Sequence, residues 1–172
     1  MKTKVALIGA SFSGKSTCAR ALNSDSNDGD MDLGEGVGAA RCPESATMIQ
    51  WILDRSVAYV AVSVHVEDDG KGLRGLRDLK RERADGRLAQ IHFVYLIATK
   101  EDLKVRAREK LGKPTDAKLD EHFRGYERDD RLFRELMDDI VDVKGKTRHE
   151  VEAEVQTIAS RVLQRQAPAQ AR

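Results

Sequence analysis

Short apolar runs alternate with stretches of helical periodicity along the chain. The predicted strands are 4–8, 57–66, 91–98 and 139–143. Nearly every position of 57–66 is apolar, small or β-branched, which is typical of a strand buried on both faces in a parallel sheet. Apolar residues three and four positions apart predict helices at 16–22, 43–53, 71–90, 99–111 and 147–162. The alternation predicts an α/β fold, a three-layer, doubly wound domain with a mostly parallel sheet.

Capping signals mark two of these helices. The tetrapeptides Thr99-Lys100-Glu101-Asp102 and Thr147-Arg148-His149-Glu150 each place a threonine three positions before an acidic residue, as in a capping box. Gly112 suits the end of the helix that Thr99 opens, with Pro114 just beyond it.

Composition limits the classes of function. The chain has 172 residues, which suits one domain over 1–165 followed by a disordered tail at 166–172. The net charge of +1 gives no global attraction to nucleic acid or to a membrane, so only a local nucleic-acid patch stays open. Two cysteines indicate no disulfide framework, and the apolar run at 5–8 is too short for a signal peptide or a membrane span. We therefore expect a cytoplasmic protein.

A motif with specific chemistry lies between the first strand and the first helix. Residues 9–16 read Gly-Ala-Ser-Phe-Ser-Gly-Lys-Ser, which fits G-x-x-x-x-G-K-[ST], the phosphate-binding pattern called Walker A. Gly9 and Gly14 allow backbone conformations that a side chain forbids, so the loop amides and the helix N-terminus can surround a phosphate. Lys15 can reach the β- and γ-phosphates, and the hydroxyl of Ser16 can ligate Mg²⁺.

This stretch resembles the P-loop NTPase superfamily, and the resemblance is specific over 4–22. It implies a bound nucleoside triphosphate with Mg²⁺, which is ATP if the chain is a kinase. The residues that it implies for cofactor binding are Gly9, Ser11, Ser13, Gly14, Lys15, Ser16 and Thr17.

The third strand and the helix after it resemble a narrower group. Val94-Tyr95-Leu96, followed by Leu103, Arg106 and Arg108, is similar to gluconate-kinase-like, adenylylsulfate-kinase-like and nucleotide-kinase-like chains. These are small P-loop kinases, so the resemblance implies the P-loop kinase fold. It also implies that Arg106 contributes to nucleotide binding.

The resemblance to small P-loop kinases also implies a lid at about 112–138, which closes over the triphosphate and excludes water. Arg124, Arg128 and Arg131 are spaced by four and three, so one helix would present them on one face. They are candidates for stabilising charge on the transferred phosphoryl group. The alternative is a surface helix whose arginines pair with neighbouring acidic residues.

Acidic residues supply candidates for the remaining roles. Asp30 or Asp32, in the glycine-rich loop 23–42, could take the proton from an attacking hydroxyl, although the loop could equally be a solvated linker. Asp68 and Asp69 follow the strand at 57–66, where a Walker B aspartate supports Mg²⁺. We take Asp68 with Ser16 as the candidate metal ligands.

An alternative function belongs to another class. Thr99-Lys100-Glu101-Asp102 also fits the Asn/Thr-Lys-x-Asp form of small GTPases, in which the aspartate reads guanine. However, no strand ends in Asp-x-x-Gly, the γ-phosphate sensor of such switches.

The sequence therefore favours an ATP-dependent phosphotransferase with Lys15 as a catalytic residue. The acceptor would be a hydroxyl or phosphate group on a nucleotide, a modified nucleic-acid base or a small metabolite. A divergent GTPase-like switch is the alternative, and the oligomeric state stays open.

Overall fold

The computed structural model describes residues 3–24, 52–63, 81, 91–112 and 114–166. The strands are β1 (Lys4–Gly9), β2 (Tyr59–Ser63), β3 (Ile91–Ile97) and β4 (Asp139–Asp142). The helices are α1 (Lys15–Leu22), α2 (Lys100–Lys110), α3 (Asp116–His122), α4 (Tyr126–Leu136) and α5 (Arg148–Gln166). Each of the four predicted strands is present, although residues 64–66 of the second prediction lie outside the described residues. Most of the predicted helices at 43–53 and 71–90 also lies outside them.

The four described strands form one parallel sheet in the order β2-β1-β3-β4. The strand β1 is central, and its last residue, Gly9, pairs with Ser63 of β2. On the other side, Ile8 pairs with Tyr95 of β3. The parallel α/β prediction is confirmed, and the carboxyl ends of the strands meet beside the loop that follows β1.

Helices cover both faces of the sheet. Because successive side chains of a strand point to opposite faces, Val5 and Leu7 of β1 join one buried cluster, whereas Ala6 and Ile8 join another. The first cluster includes residues of α1, α2, α3 and α5, and the second includes Ile52 and residues of α4. The layers are therefore helix, sheet and helix, as the sequence predicted.

Both predicted caps are present. The hydroxyl of Thr99 accepts a hydrogen bond from the Asp102 backbone N–H at 3.1 Å, at the start of α2. At the start of α5, the Glu150 N–H donates to the Thr147 hydroxyl at 3.3 Å, and the Thr147 N–H donates to the Glu150 carboxylate at 2.7 Å. Gly112 follows α2 with a φ of 69°, as a glycine past a helix end commonly does.

The lid segment differs from the sequence prediction. Residues 112–138 contain two helices, α3 and α4, and a turn separates them. Arg124 lies in that turn, before Gly125 at the N-cap of α4, so it does not share one helix with Arg128 and Arg131. Gly125 has a φ of 78°, a left-handed conformation that suits a break between helices. The prediction of one helical face for the three arginines was wrong.

The last helix extends beyond its predicted end. The helix α5 continues through Gln166, the first residue of the predicted tail, and 167–172 lie outside the described residues. Of the helices in the described ranges, none is long and apolar enough to span a membrane.

Candidate functional site

The loop between β1 and α1 forms a tight turn before the start of α1. The Ser13 N–H donates to the Ala10 carbonyl at 3.2 Å, which closes the loop on itself. Gly14 is the N-cap of α1 and has a φ of 95°, which a side chain would strain. No side chain of the described residues caps this helix start, and its first turn holds no acidic residue. The amide groups there are therefore suited to an anion.

Gly9 is required by close packing. A Cβ atom at this position would lie 2.6 Å from the Ser13 hydroxyl oxygen and 3.0 Å from the Leu96 carbonyl oxygen. The hydroxyl of Ser13 is buried and has no hydrogen-bond partner among the described residues. The predicted loop residues Gly9, Ser13 and Gly14 are thus brought together between β1, β3 and α1.

Lys15 is buried although it is charged. Its side chain is 2% exposed, and its ammonium group donates to the Ala10 carbonyl at 3.3 Å. A buried ammonium is costly unless hydrogen bonds or an anion compensate it. The contact with Ala10 places the lysine side chain across the loop. Ser16 and Thr17 follow it in the first turn of α1, and both are partly buried.

Arg106 reaches the loop from α2. Its guanidinium donates to the carbonyls of Phe12 at 3.4 Å and Ser13 at 3.3 Å. These bonds hold two loop carbonyls toward α2. In a trans peptide unit the carbonyl and the N–H point in opposite directions, so the Gly14 N–H, which shares its unit with the Ser13 carbonyl, points away from Arg106, whereas the Ser13 N–H is bonded to the Ala10 carbonyl. The sequence placed Arg106 at the nucleotide, and the structure places it against the loop itself.

A cavity of about 170 Å³ adjoins the loop. Its lining includes Gly14, Thr17, Arg106, Val143, Lys146 and Val151. Sites for whole drug-sized ligands measure roughly 300–1,000 Å³, so this cavity accommodates only part of a nucleotide. Cations at its rim are paired: Lys146 with Glu154, and Arg148 with Glu152 at 2.5 Å.

Cys18 forms an apolar part of the cavity wall. It is buried, and burial, with the charge of Glu152 as a second cause, raises the pKa of its thiol to about 12. The thiol is therefore neutral near pH 7 and unsuited to act as a nucleophile.

Helix α3 is docked on α2. The ammonium of Lys104 lies 2.5 Å from the carboxylate of Asp120, and the guanidinium of Arg108 lies 2.5 Å from Asp116. The hydrogen bond from Lys104 lowers the pKa of Asp120. Leu119 and Phe123 are buried in the cluster that contains the first helix. The first half of the predicted lid thus lies against the body of the domain.

The predicted arginines occupy different settings. Arg124 is exposed in the turn after Phe123, and the Tyr126 hydroxyl anchors the other side of this turn by donating to the Ala98 carbonyl at 2.6 Å. Arg131 is exposed on α4, which Phe133 packs against the opposite sheet face. Arg128 lies within α4. The turn that carries Arg124 therefore lies at the carboxyl edge of β3, beside the loop.

Helix α4 is fixed by a polar contact that the sequence did not reveal. The hydroxyl of Tyr95, a fully buried residue of β3, donates to the Asp130 carboxylate at 2.8 Å. Arg134 donates to the same carboxylate at 2.9 Å. Burial raises the pKa of the Tyr95 phenol above its usual value, so this group stays protonated and continues to donate.

The structure does not describe the carboxylates predicted as general base and metal ligand. Asp30, Asp32 and Asp68 lie outside the described residues. Asp102, the residue of the guanine-reading alternative, accepts a hydrogen bond from the Thr99 hydroxyl at 2.6 Å within the cap of α2. Asp102 is not among the residues that line the described cavity.

Sequence comparisons found no matching protein-family model and no matching curated protein. Solved structures do match. A shikimate kinase from Acinetobacter baumannii, in complex with shikimate, has a TM-score of 0.58 at 15% identity, covering 98% of this chain and 97% of that one. A gluconokinase from Sinorhizobium meliloti 1021 has a TM-score of 0.58 at 18% identity, with coverages of 95% and 94%.

A third similar structure is the Deinococcus radiodurans tunicamycin resistance protein. Its TM-score is 0.53 at 18% identity, covering 92% of this chain and 96% of that one. At such identities the likeness concerns the fold. With a parallel sheet between helices and a Walker A loop after its central strand, the chain has the fold of the small P-loop kinases.

Proposed function

We propose that this protein is an ATP-dependent phosphotransferase that moves the γ-phosphoryl group of ATP to a small-molecule or nucleotide acceptor. The observation that carries the proposal is the burial of Lys15 inside a Walker A loop, with its ammonium 3.3 Å from the Ala10 carbonyl. A lysine at this position of the loop lies within reach of a triphosphate bound to the loop amides, where its positive charge would stabilise the β- and γ-phosphates.

The phosphates would bind to the loop amides, to Lys15 and to the start of α1. The absence of a side-chain cap or an acidic first turn in the described helix α1 supports an anion there. Ser16, in the first turn of α1, would hold Mg²⁺ together with Asp68. Mg²⁺ neutralises charge on the β- and γ-phosphates when it is bound.

The nucleoside end of ATP would enter the cavity beside Arg106. The neutral wall at Cys18 and Val151 suits a base better than a phosphate, while the paired cations at the rim could contact ribose or phosphate oxygens. Thr17 lines the same cavity from the first turn of α1. Ser11 would complete the loop on the phosphate side.

On the acceptor side, Asp30 or Asp32 would orient or deprotonate the attacking hydroxyl. Arg124 would approach the phosphoryl group from the turn at the edge of β3, and Arg128 and Arg131 would assist from α4 as the lid closes. We further propose one domain over 1–165, with the protein acting in the cytoplasm.

Nucleotide binding is the first test. ATP and GTP would compete for a fluorescent nucleotide in the presence of Mg²⁺, with wild type and the Asp102→Ala variant. We expect Asp102→Ala to bind ATP and GTP with the same affinities as wild type, because the Asp102 carboxylate belongs to the cap of α2. Strong guanine selectivity that is lost in this variant would instead establish the GTPase-like alternative.

The acceptor is the second test. Transfer from γ-labelled ATP would be measured with hydroxylated acceptors, beginning with shikimate and gluconate, the acceptors that two similar structures suggest, and continuing with nucleosides and nucleotides. We expect one acceptor to stimulate ATP consumption with stoichiometric product. ATP binding without transfer to any acceptor in a broad panel would argue for a protein that binds nucleotide but has no phosphotransferase activity.

A further inference from the structure

Phe12 has an unusual backbone conformation for a residue with a large side chain. Its φ is 67°, in the left-handed region that residues with a Cβ atom adopt at a cost. It lies in the middle of the phosphate loop, and its carbonyl accepts a hydrogen bond from Arg106. Glycine would adopt this conformation more easily, which indicates that the aromatic ring has a role that glycine cannot fill.

The ring of Phe12 packs on the end of α3. Its centroid lies 5.9 Å from the ring of His122 and 6.3 Å from that of Phe123, at interplanar angles of 61° and 69°. Edge-to-face geometry at such distances is favourable for aromatic pairs. The rings of His122 and Phe123 also contact each other, at 4.8 Å. These contacts offset the strain at Phe12 and join the loop to α3.

The contacts continue to the turn that carries Arg124. The ring of Phe123 lies 6.5 Å from that of Tyr126, whose hydroxyl is bonded to the Ala98 carbonyl at the end of β3. Arg124 lies between these two anchored residues. A shift of the Phe12 backbone when phosphates enter the loop would therefore act directly on Phe123 and on the turn.

We propose that Phe12 is a positioning residue whose ring couples occupancy of the phosphate loop to the placement of the Arg124 turn. The inference rests on the proposed function, because it requires a nucleotide in the loop. Phe12 contributes its ring to this coupling, while the loop backbone binds the phosphates. The side chain is thus separable from nucleotide binding.

Hydrogen exchange tests the coupling without a known acceptor. Backbone amides of 119–126 would be followed with and without a non-hydrolysable ATP analogue and Mg²⁺, in wild type, Phe12→Gly and Phe12→Tyr. We expect the analogue to slow exchange in wild type and in Phe12→Tyr. In Phe12→Gly the analogue should still bind, because glycine accepts the φ, but the slowing should be at least about fivefold smaller, because two aromatic pairs are lost.

Kinetics provide a second readout once an acceptor is known. Phe12→Gly should lower kcat more than it raises KM for ATP, because the transition-state contact of Arg124 is misplaced. In an Arg124→Ala background it should cause no further loss of kcat, since both changes remove the same contribution.

The outcomes separate the two proposals. Failure of wild type to bind any nucleotide overturns the proposed function and the coupling with it. Nucleotide binding with equal slowing of exchange in wild type and Phe12→Gly overturns the coupling alone. If Phe12→Gly does not fold, His122→Ala decides, because it removes one of the two ring contacts at the exposed end of α3. In His122→Ala the analogue should slow amide exchange less than in wild type, although the loss should be smaller than that expected for Phe12→Gly. Slowing equal to that in wild type overturns the coupling.

Discussion

Two buried lysines lie at opposite ends of the central strand and its loop. Lys4, at the start of β1, donates to the backbone carbonyls of Arg55 and of Val57, the latter at 2.6 Å. Lys15, beyond the end of β1, has the Ala10 carbonyl at a longer 3.3 Å. The Lys4 ammonium thus joins the start of β1 to the segment before β2, whereas the proposed function assigns the Lys15 ammonium to a bound phosphate.

Removal of Lys15 should separate these roles. We expect Lys15→Ala to lower phosphoryl transfer by at least about 10²-fold, because a preorganised charge at the transferred group is lost. The fold should survive, since burying a methyl group there removes a desolvated charge. Single-turnover transfer and a thermal melt would measure both effects.

The control for Lys15→Ala is Lys4→Met, which removes a similarly buried lysine from the far end of the same strand. It should lower stability through the two unpaired carbonyls while transfer per folded molecule is retained. Undiminished transfer by folded Lys15→Ala would contradict the Walker A assignment.

Asp30 and Asp32 require a direct comparison. If one carboxylate is the general base, its replacement by asparagine should slow transfer about 10²–10⁴-fold while ATP affinity changes little. The other substitution then serves as the matched control, two positions away in the same acidic segment. Wild-type rates in both Asp30→Asn and Asp32→Asn would remove the general-base role from this segment.

For individual residues, predictions from the sequence were correct where a motif constrains both residue type and spacing. The loop glycines follow from close contacts and a positive φ that the Walker A pattern encodes. Phe12 was not predicted as a contact residue, because its partners are more than one hundred positions away and depend on tertiary packing. Arg124 was misplaced because helical spacing was extended across Gly125, which ends that periodicity.

Among the elements, α5 depends on a fully formed capping box. Thr147 and Glu150 satisfy each other's backbone N–H groups, and this helix contributes Val151 to the cavity wall. Thr147→Val should therefore lower the free energy of unfolding by about 1 kcal/mol. Urea denaturation of wild type and variant would measure the difference.

Thr157→Val is the matched control on the same helix. Thr157 is exposed, and its hydroxyl donates to the Ala153 carbonyl at 2.8 Å in the middle of α5. Its replacement should change stability by no more than about 0.5 kcal/mol. Equal losses in the two variants would show that the cap contributes nothing beyond an ordinary surface hydroxyl.

Helix boundaries could be predicted because capping is a local interaction. Thr99 and Thr147 contact residues three positions away, so the tetrapeptide already contains the partners. The contact of Tyr95 with Asp130 joins β3 to a helix 35 positions later, and nothing in either local pattern indicates it. The docking of α3 on α2 through Lys104 is likewise a tertiary feature.

For the molecule as a whole, paired carboxylates set the response to acid. Burial alone would raise the pKa of Asp139, but hydrogen bonds from Arg161 at 2.6 Å and His92 at 2.7 Å lower it overall. A backbone hydrogen bond at Thr147, and then its hydroxyl, lower the pKa of Glu150. Both groups bind fewer protons in the folded state than in the unfolded state, so their stabilisation is present above the unfolded pKa.

We therefore expect these groups to leave the free energy of unfolding flat above about pH 5 and to reduce it below about pH 4, as each carboxylate is protonated through its lowered pKa. Denaturation between pH 2.5 and 7, values that bracket this window, would measure the slope. Asp139→Asn should make the decline shallower, and an identical decline in wild type and this variant would contradict the assignment.

The parallel sheet could be predicted because strands buried on both faces are apolar on both faces. The strand order β2-β1-β3-β4 could not, since hydrogen bonding between strands depends on packing between distant segments. The resemblance to P-loop kinases gave the same architecture, and the similar structures confirm it.

The position of β1 inside the described sheet has a consequence for synthesis of the protein. Among the described strands, β1 pairs with β2 on one side and with β3 on the other. At 5–20 residues per second, β2 follows β1 by about 3–11 s and β3 follows it by about 4–17 s. Until β3 is made, one edge of this apolar strand lacks its described neighbour, and an unpaired apolar strand edge is prone to aggregation in a nascent chain.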